Sequence, residues 1–124
     1  MAKILYIEDE PDQIDMLRTR LEGAGFQLVT ARDGEEGLKM AGEEKPDLIL
    51  LDLFLPKISG LKLGPLLRKI PGIGEIPIVA ITASGSSHLT EQCAAAGINE
   101  YILKPYDSSF VVERITALLA QAQS

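Results

Sequence analysis

The chain has 124 residues, of which 46% are hydrophobic and 24% are charged, and its formal net charge at pH 7 is -6. This length fits one domain with its own core. The negative charge disfavours nonspecific attraction to nucleic acid or to an anionic membrane. The single cysteine, Cys93, excludes an intrachain disulfide and a cysteine-based metal site. We expect Cys93 to be a small buried side chain.

The first predicted strand is the apolar run from Lys3 to Ile7, which ends abruptly in the acids Glu8, Asp9 and Glu10. This run is far too short for a signal peptide or a membrane span. We therefore expect a cytoplasmic protein that does not act at a membrane.

A helix follows from Pro11, a residue suited to an early helical position, and Asp9 or Glu10 is expected to cap its first turn. Gly23 and Gly25 are expected to end it. Its inward face is predicted from apolar residues at helical spacing: Ile14, Met16, Leu17 and Leu21.

A second strand and a second helix are predicted over residues 26–46. Residues 26–30 alternate in polarity like a strand, Asp33 and Gly34 form a turn, and the helix ends at Pro46. The helix is predicted from Glu36, Leu38, Met40 and Ala41. The chain thus begins with the order strand, helix, strand, helix.

The central strand is predicted at residues 48–51, four consecutive aliphatic side chains that are typical of a parallel strand buried on both faces. It is followed by Asp52, so this carboxylate lies at the carboxyl end of the strand, where ligands bind in open parallel sheets. Taken alone, Asp52 is also compatible with a helix cap or a turn. Pro56 and Gly60 turn the chain away from the site.

A third helix is predicted from apolar residues at helical spacing: Leu61, Leu63, Leu66, Leu67 and Ile70. We expect Gly64-Pro65 to disturb the start of this helix or to delay it. A fourth strand over residues 76–81 ends in Thr82, a small residue with a hydroxyl group.

The last third of the chain repeats the same alternation. A fourth helix that ends at Gly97 is predicted from Leu89, Cys93, Ala94 and Ala96. A fifth strand over residues 101–103 ends at Lys104, and Asp107 or Ser108 is expected to cap a final helix. Residues 121–124, after that helix, are expected to fray.

Strands that alternate with helices predict right-handed crossovers and an α/β fold with a doubly wound parallel sheet. The carboxyl ends of its strands bring five side chains to one rim: Glu8, Asp9, Asp52, Thr82 and Lys104. Clustered carboxylates repel one another, and a hard divalent cation relieves this repulsion. Mg²⁺ suits such oxygen ligands, with Mn²⁺ as a substitute, whereas zinc requires Cys or His and the chain has one histidine, His88.

The side chains at this rim also suit phosphoryl transfer. Lys104 offers a point charge and Thr82 a hydroxyl donor to a phosphoryl group beside the metal. Asp52 is then the expected nucleophile, because aspartate forms acyl phosphates in known mechanisms and positioning does most of the work in phosphoryl transfer.

Four ordered motifs resemble those of the receiver domains of two-component response regulators. They are the pair Glu8-Asp9, the string DLFLPKISG at residues 52–60, the step Thr82-Ala83 and the segment YILKP at residues 101–105. The likeness extends over about residues 3–119. It implies a flavodoxin-like (βα)5 fold with strand order 2-1-3-4-5, in a single receiver domain over residues 1–124. No output domain is expected, as in chemotaxis-type single-domain receivers.

The resemblance implies that Asp52 is phosphorylated by a histidine kinase or by a phosphotransfer protein. It implies that Mg²⁺ is held by Asp9, Asp52 and the backbone carbonyl of Phe54, with Glu8 acting largely through water. Such a chain is a phosphoacceptor signalling domain that assists its own phosphorylation and dephosphorylation, and it is not a conventional enzyme.

The resemblance also implies a conformational switch. The phosphoryl group is expected to contact Lys104, Thr82 and Ala83, and Tyr101 is expected to swing inward as the Thr82 hydroxyl moves toward phosphate. The change alters a surface of the fourth helix, fifth strand and fifth helix that binds a downstream protein. The chain is expected to be a monomer or a phosphorylation-dependent dimer, and the Lys104-Pro105 bond is expected to be cis.

Phe54 departs from the commonest pattern, since other receivers often have a polar or smaller residue two positions after the phosphorylated aspartate. We therefore predict slow loss of the phosphoryl group, with Ser84 as a residue that could offset this by orienting water. The first helix, through Gln13, Arg18 and Arg20, is expected to face the phosphodonor.

Three other functions fit parts of the pattern. An aspartate-nucleophile phosphatase needs a second acid two residues after the nucleophile, where this chain has Phe54. A flavin or nucleotide carrier needs a loop rich in small residues after the first strand, where Glu8-Asp9-Glu10 repels phosphate instead. A receiver that no longer accepts phosphate would lack a required residue, and each one is present.

Overall fold

The computed structural model describes residues 1–83 and 85–122, in which five strands alternate with five helices. The strands are β1 (Lys3–Ile7), β2 (Gln27–Ala31), β3 (Leu48–Asp52), β4 (Ile78–Thr82) and β5 (Glu100–Leu103). The helices are α1 (Pro11–Gly23), α2 (Gly34–Glu44), α3 (Gly60–Arg68), α4 (Leu89–Ala95) and α5 (Ser108–Ala122). The predicted order of elements is confirmed, with strand boundaries that differ by one or two residues.

All strand pairs are parallel, and the strands lie in the order β2-β1-β3-β4-β5. This is the doubly wound, flavodoxin-like topology that was predicted. The chain reverses direction across the sheet between β1 and β3, where an open α/β sheet binds its ligands. The carboxyl ends of β1, β3 and β4 therefore meet on one edge.

The core has two layers because successive side chains of a strand point to opposite faces of the sheet. On β3, Leu48 and Leu50 pack with the residues of α1 and α5, whereas Ile49 and Leu51 pack with those of α3 and α4. All five residues of β3 are buried, as predicted for a central parallel strand. Cys93 is also buried, as expected.

Two predictions for α1 are wrong. Glu10 is the N-cap residue, but its side chain makes no capping hydrogen bond; instead its backbone carbonyl accepts from the amides of Gln13 and Ile14. Met16 is 44% exposed, because it lies off the stripe formed by the inward-facing residues Ile14, Leu17 and Leu21. By contrast, the Asp107 carboxylate accepts from the amide of Ser109, which confirms its capping role.

The prediction that Gly64-Pro65 would disturb the start of α3 is also wrong, because the helix begins at Gly60 and contains Pro65. The reason lies in packing. A Cβ atom at Gly64 would be 2.4 Å from the carbonyl oxygen of Ala96. Glycine therefore lets α3 approach the end of α4 closely, and this tertiary contact outweighs the missing amide of proline.

Within the described part of the chain, no helix has the length and apolar character needed to cross a membrane. Ser84 and the last two residues, Gln123 and Ser124, lie outside the described residues. The predictions made for Ser84 and for those two residues therefore remain predictions. Gln121 and Ala122, which were also expected to fray, are helical as the last residues of α5, so the helix extends further than predicted.

Candidate functional site

Asp52 ends β3 and is only 4% exposed. One carboxylate oxygen, Oδ1, accepts a hydrogen bond from the amide of Phe54 at 2.8 Å. The other, Oδ2, lies 3.2 Å from Nζ of Lys104. Asp52 thus supports the turn after β3, as its simplest interpretation suggests, and also contacts a cation from a distant segment.

Lys104 reaches the site from the end of β5. Its backbone amide donates to the carbonyl of Thr82 at 2.8 Å, which continues the sheet beyond the two strands. Its Nζ atom lies 3.5 Å from Oε1 of Glu8. Burial disfavours the charge of Lys104, but the carboxylates of Asp52 and Glu8 outweigh burial, so the pKa of Lys104 is raised.

Three carboxylates share the space next to this cation. One oxygen from each of Glu8, Asp9 and Asp52 lies within 4.8 Å of the others. Burial and the neighbouring Asp52 carboxylate raise the pKa of Glu8 from 4.5 to about 7. Such crowded negative charge is what a divalent cation relieves, and an all-oxygen donor set fits Mg²⁺ or Mn²⁺.

A cavity of about 320 Å³ opens beside these groups. It is lined by residues of the loops at the carboxyl edge and of the first turn of α1: Asp9, Glu10, Gln13, Asp52, Phe54, Ala83 and Lys104. Phe54 is 64% exposed, so its ring lies at the surface of the cavity and does not fill it. The site is therefore open to a ligand from solvent.

The structure brings together most of the predicted site residues. Thr82 is fully buried at the end of β4 and lines a neighbouring cavity between α3 and α4 with Ser86 and Leu89. Tyr101 is half-buried, and its hydroxyl lies 3.4 Å from Oγ1 of Thr90 on α4. The Lys104-Pro105 bond is cis, as expected.

Sequence reasoning missed the role of two tyrosines near the carboxylates. The hydroxyl of Tyr6, which is fully buried in β1, donates to Oε1 of Glu8 at 3.1 Å. The hydroxyl of Tyr106 donates to Oε1 of Gln13 at 3.3 Å and thereby joins the loop after β5 to α1. For Tyr6, the sequence does offer one signal, which is a hydroxyl-bearing residue between the aliphatic residues of β1.

The model of the response regulator receiver domain family matches residues 4–116. Among relatives, the chain is 37% identical over 119 residues to the DNA-binding dual master transcriptional regulator RpaA of Synechocystis sp., covering 96% of this chain and 49% of RpaA. It is 32% identical over 119 residues to the polar-differentiation response regulator DivK of Brucella anthropi, covering 96% of this chain and 97% of DivK. The chain thus spans about half the length of RpaA and nearly all of DivK.

A solved structure with the same fold is the receiver domain of the sensor histidine kinase PA1611 from Pseudomonas aeruginosa PAO1, which has a magnesium ion coordinated in its active-site cleft. The two chains are 26% identical with a TM-score of 0.87, over 96% of this chain and 98% of that one. The family match, the strand order and the acidic cluster agree with one another. The chain belongs to the response regulator receiver domain family of two-component signal transduction.

Proposed function

We propose that Asp52 accepts a phosphoryl group from a histidine kinase or a phosphotransfer protein, with Mg²⁺ or Mn²⁺ bound beside it. The observation that carries this proposal is the position of Asp52, whose Oδ2 atom lies 3.2 Å from Nζ of Lys104. Glu8 and Asp9 also supply carboxylate oxygens within 4.8 Å of its own. A nucleophile close to both a cation and a metal-binding cluster is what phosphoryl transfer to aspartate requires.

In this reaction a carboxylate oxygen of Asp52 forms a bond to phosphorus, while the bond between phosphorus and the imidazole nitrogen of the donor breaks. Lys104 neutralises charge on the phosphoryl oxygens, and the amide of Phe54 holds the carboxylate in place by its 2.8 Å hydrogen bond. The Asp9 and Asp52 carboxylates and the Phe54 carbonyl would hold the metal, with Glu8 acting largely through water. The bound metal supplies further neutralisation of phosphoryl charge.

Phosphorylation adds a charge of about -2 and new acceptor oxygens at the end of β3. We expect the Thr82 hydroxyl and the Ala83 region to respond first, since β4 is paired with β3 directly. Tyr101 lies next along the sheet, and its hydroxyl contacts Thr90 on α4. Movement of Tyr101 would therefore alter the surface of α4, β5 and α5, where a downstream protein partner would bind.

The exposed character of this surface supports a protein partner. Leu103, on β5, is 47% exposed and offers an apolar side chain to a partner. We propose that the chain acts in the cytoplasm as a monomer or a phosphorylation-dependent dimer, without direct contact with nucleic acid or membrane.

A phosphatase that hydrolyses small esters is the main alternative. It needs a general acid near the leaving group, and the position two residues after Asp52 holds the ring of Phe54. Glu8 does not replace that acid, since it is fully buried and accepts hydrogen bonds from Tyr6, Asp9 and Glu10. The arrangement therefore favours a phosphoacceptor over a hydrolase.

The test is incubation with acetyl phosphate and Mg²⁺, followed by mass spectrometry. We expect an adduct of about 80 Da that hydroxylamine removes and that Asp52→Asn abolishes. Asp47→Asn is the matched control, because Asp47 precedes the same strand at its opposite end and is exposed. An adduct that persists in Asp52→Asn would overturn the proposal.

A further inference from the structure

The hydroxyl of Tyr6 stands out in the apolar layer formed by β1, β3, α1 and α5. The fifteen buried residues of that layer are otherwise aliphatic, and Tyr6 is 0% exposed. Phenylalanine would fill the same space without a polar group that needs a partner. The hydroxyl is therefore not explained by packing of the core.

The partner of this hydroxyl is Glu8, two residues along the strand and on the same side of it. Tyr6 donates to Oε1 of Glu8 at 3.1 Å, while the amides of Asp9 and Glu10 donate to Oε2 at 3.2 and 3.3 Å. Both oxygens of this fully buried carboxylate are thus held by protein donors, and Nζ of Lys104 lies further from Oε1, at 3.5 Å. The two amide bonds fix one oxygen, and the Tyr6 bond fixes the rotation of the other.

We propose that Tyr6 is a positioning residue for metal binding: its hydroxyl holds the buried Glu8 carboxylate in the orientation that faces Asp9 and Asp52. This inference rests on the proposed function, because the cluster it orients is the proposed metal site. Groups that orient metal-binding carboxylates from behind typically change metal affinity by about 10- to 100-fold when they are removed. We therefore expect Tyr6→Phe to weaken Mn²⁺ binding by about tenfold.

The experiment measures Mn²⁺ affinity from the electron paramagnetic resonance signal of the free ion, for the full chain and for Tyr6→Phe. Tyr6→Phe keeps the ring, so the variant should fold. Ile4→Val is the control, since Ile4 lies on the same face of β1, is equally buried and has no polar group. It should lower the unfolding midpoint but leave Mn²⁺ affinity unchanged.

A second pair of variants tests whether Tyr6 acts through Glu8. Glu8→Gln should weaken Mn²⁺ binding by itself, and adding Tyr6→Phe to it should weaken binding by less than twofold. A tenfold effect of Tyr6→Phe that remains in the Glu8→Gln background would overturn the inference. Equal affinities of the native chain and Tyr6→Phe would overturn the inference alone, whereas a native chain that binds no Mn²⁺ would overturn the proposed metal site as well.

Discussion

The two ends of the sheet each hold a partly buried cation, Lys104 at the carboxyl end and Arg68 at the amino end, but their surroundings differ. Lys104 faces the carboxylates of Asp52 and Glu8, which crowd one another. In the described residues Arg68 donates to neutral oxygens: the carbonyls of Gly74, Ile76 and Gly97 and Oδ1 of Asn99. The Lys104 cluster keeps excess negative charge, whereas the hydrogen-bond donors of Arg68 are all satisfied by protein oxygens.

The Arg68 cluster ties three segments together. Its Nε atom donates to the Gly97 carbonyl at 2.9 Å, and one Nη atom donates to Oδ1 of Asn99 at 2.8 Å. The same Asn99 oxygen accepts from the amide of Ile78 at 2.8 Å. Arg68 therefore joins the end of α3 to the segments that lead into β4 and β5, and all five of its N–H donors have protein acceptors. A satisfied polar cluster stabilises the fold, whereas a crowded one invites binding.

The largest effect is expected from Arg68→Ala, which removes five hydrogen bonds to exposed and partly buried oxygens and should lower the free energy of unfolding by about 3 kcal/mol. Urea denaturation measures this. Arg18→Ala is the matched control, because Arg18 makes an exposed ion pair with Glu22 that is worth at most about 1 kcal/mol. Folded Arg68→Ala should still be phosphorylated on Asp52. Loss of phosphorylation in the folded variant would contradict the separation of the two clusters.

Gly64→Ala should lower the free energy of unfolding by about 2 kcal/mol, since its Cβ would meet the Ala96 carbonyl oxygen at 2.4 Å. Thermal unfolding of both proteins measures the loss. Gly23→Ala in α1 is the control, because a Cβ there has nothing within 4 Å. If both variants are equally stable, the close approach of α3 to α4 is not required.

The carboxyl end should show its excess charge in the pH dependence of stability. The pKa of Glu8 is raised to about 7, so the folded protein binds this proton more tightly than the unfolded chain does. In the metal-free protein, the free energy of unfolding should therefore fall as pH rises from about 4.5 to about 7. Glu8→Gln should remove most of that fall, because the glutamine amide does not titrate in this range.

Urea titrations of the two proteins in a chelator, at a series of pH values, compare them directly. If the free energies of unfolding of the two proteins changed with pH in the same way, the ionised form of Glu8 would not be destabilised by its neighbours. Added Mg²⁺ should flatten the curve of the native protein, because a bound cation favours the ionised carboxylates.

The smallest effect concerns Phe54. We predict that Phe54→Asn shortens the half-life of the acyl phosphate by about tenfold, or about 1.4 kcal/mol in the barrier, because a polar side chain can orient the attacking water. The decay of the hydroxylamine-labile adduct measures this. Leu66→Asn, an exposed apolar residue on α3, is the control. A native adduct that decays as fast as that of Phe54→Asn, or faster, would reject the prediction.

Much of the candidate site at the carboxyl end of the sheet could be predicted from the sequence, because each candidate side chain follows a run of apolar residues. The strand that precedes Asp52 is visible as four aliphatic residues, and the parallel topology then places Asp9 and Lys104 nearby. The bond from Tyr6 to Glu8 could not be predicted, because a tyrosine in a strand also fits ordinary packing.

The Arg68 cluster at the amino end of the sheet could not be predicted from the sequence, for a different reason. The acceptors of Arg68 are mostly backbone carbonyls, which carry no residue-type signal, and Gly97 and Asn99 are about thirty residues away. Likewise, the position of Pro65 inside α3 depends on the contact of Gly64 with Ala96, which only the folded chain defines.

The central claim is that Asp9, Asp52 and Lys104 form one site, at which a bound metal ion assists phosphoryl transfer to Asp52. A crystal structure grown with Mg²⁺ and beryllofluoride tests it most directly. We expect the beryllium atom bonded to a carboxylate oxygen of Asp52, with Lys104 contacting a fluorine and the metal held by Asp9 and Asp52. Beryllofluoride bound away from Asp52, or a metal that does not contact Asp9, would contradict the account.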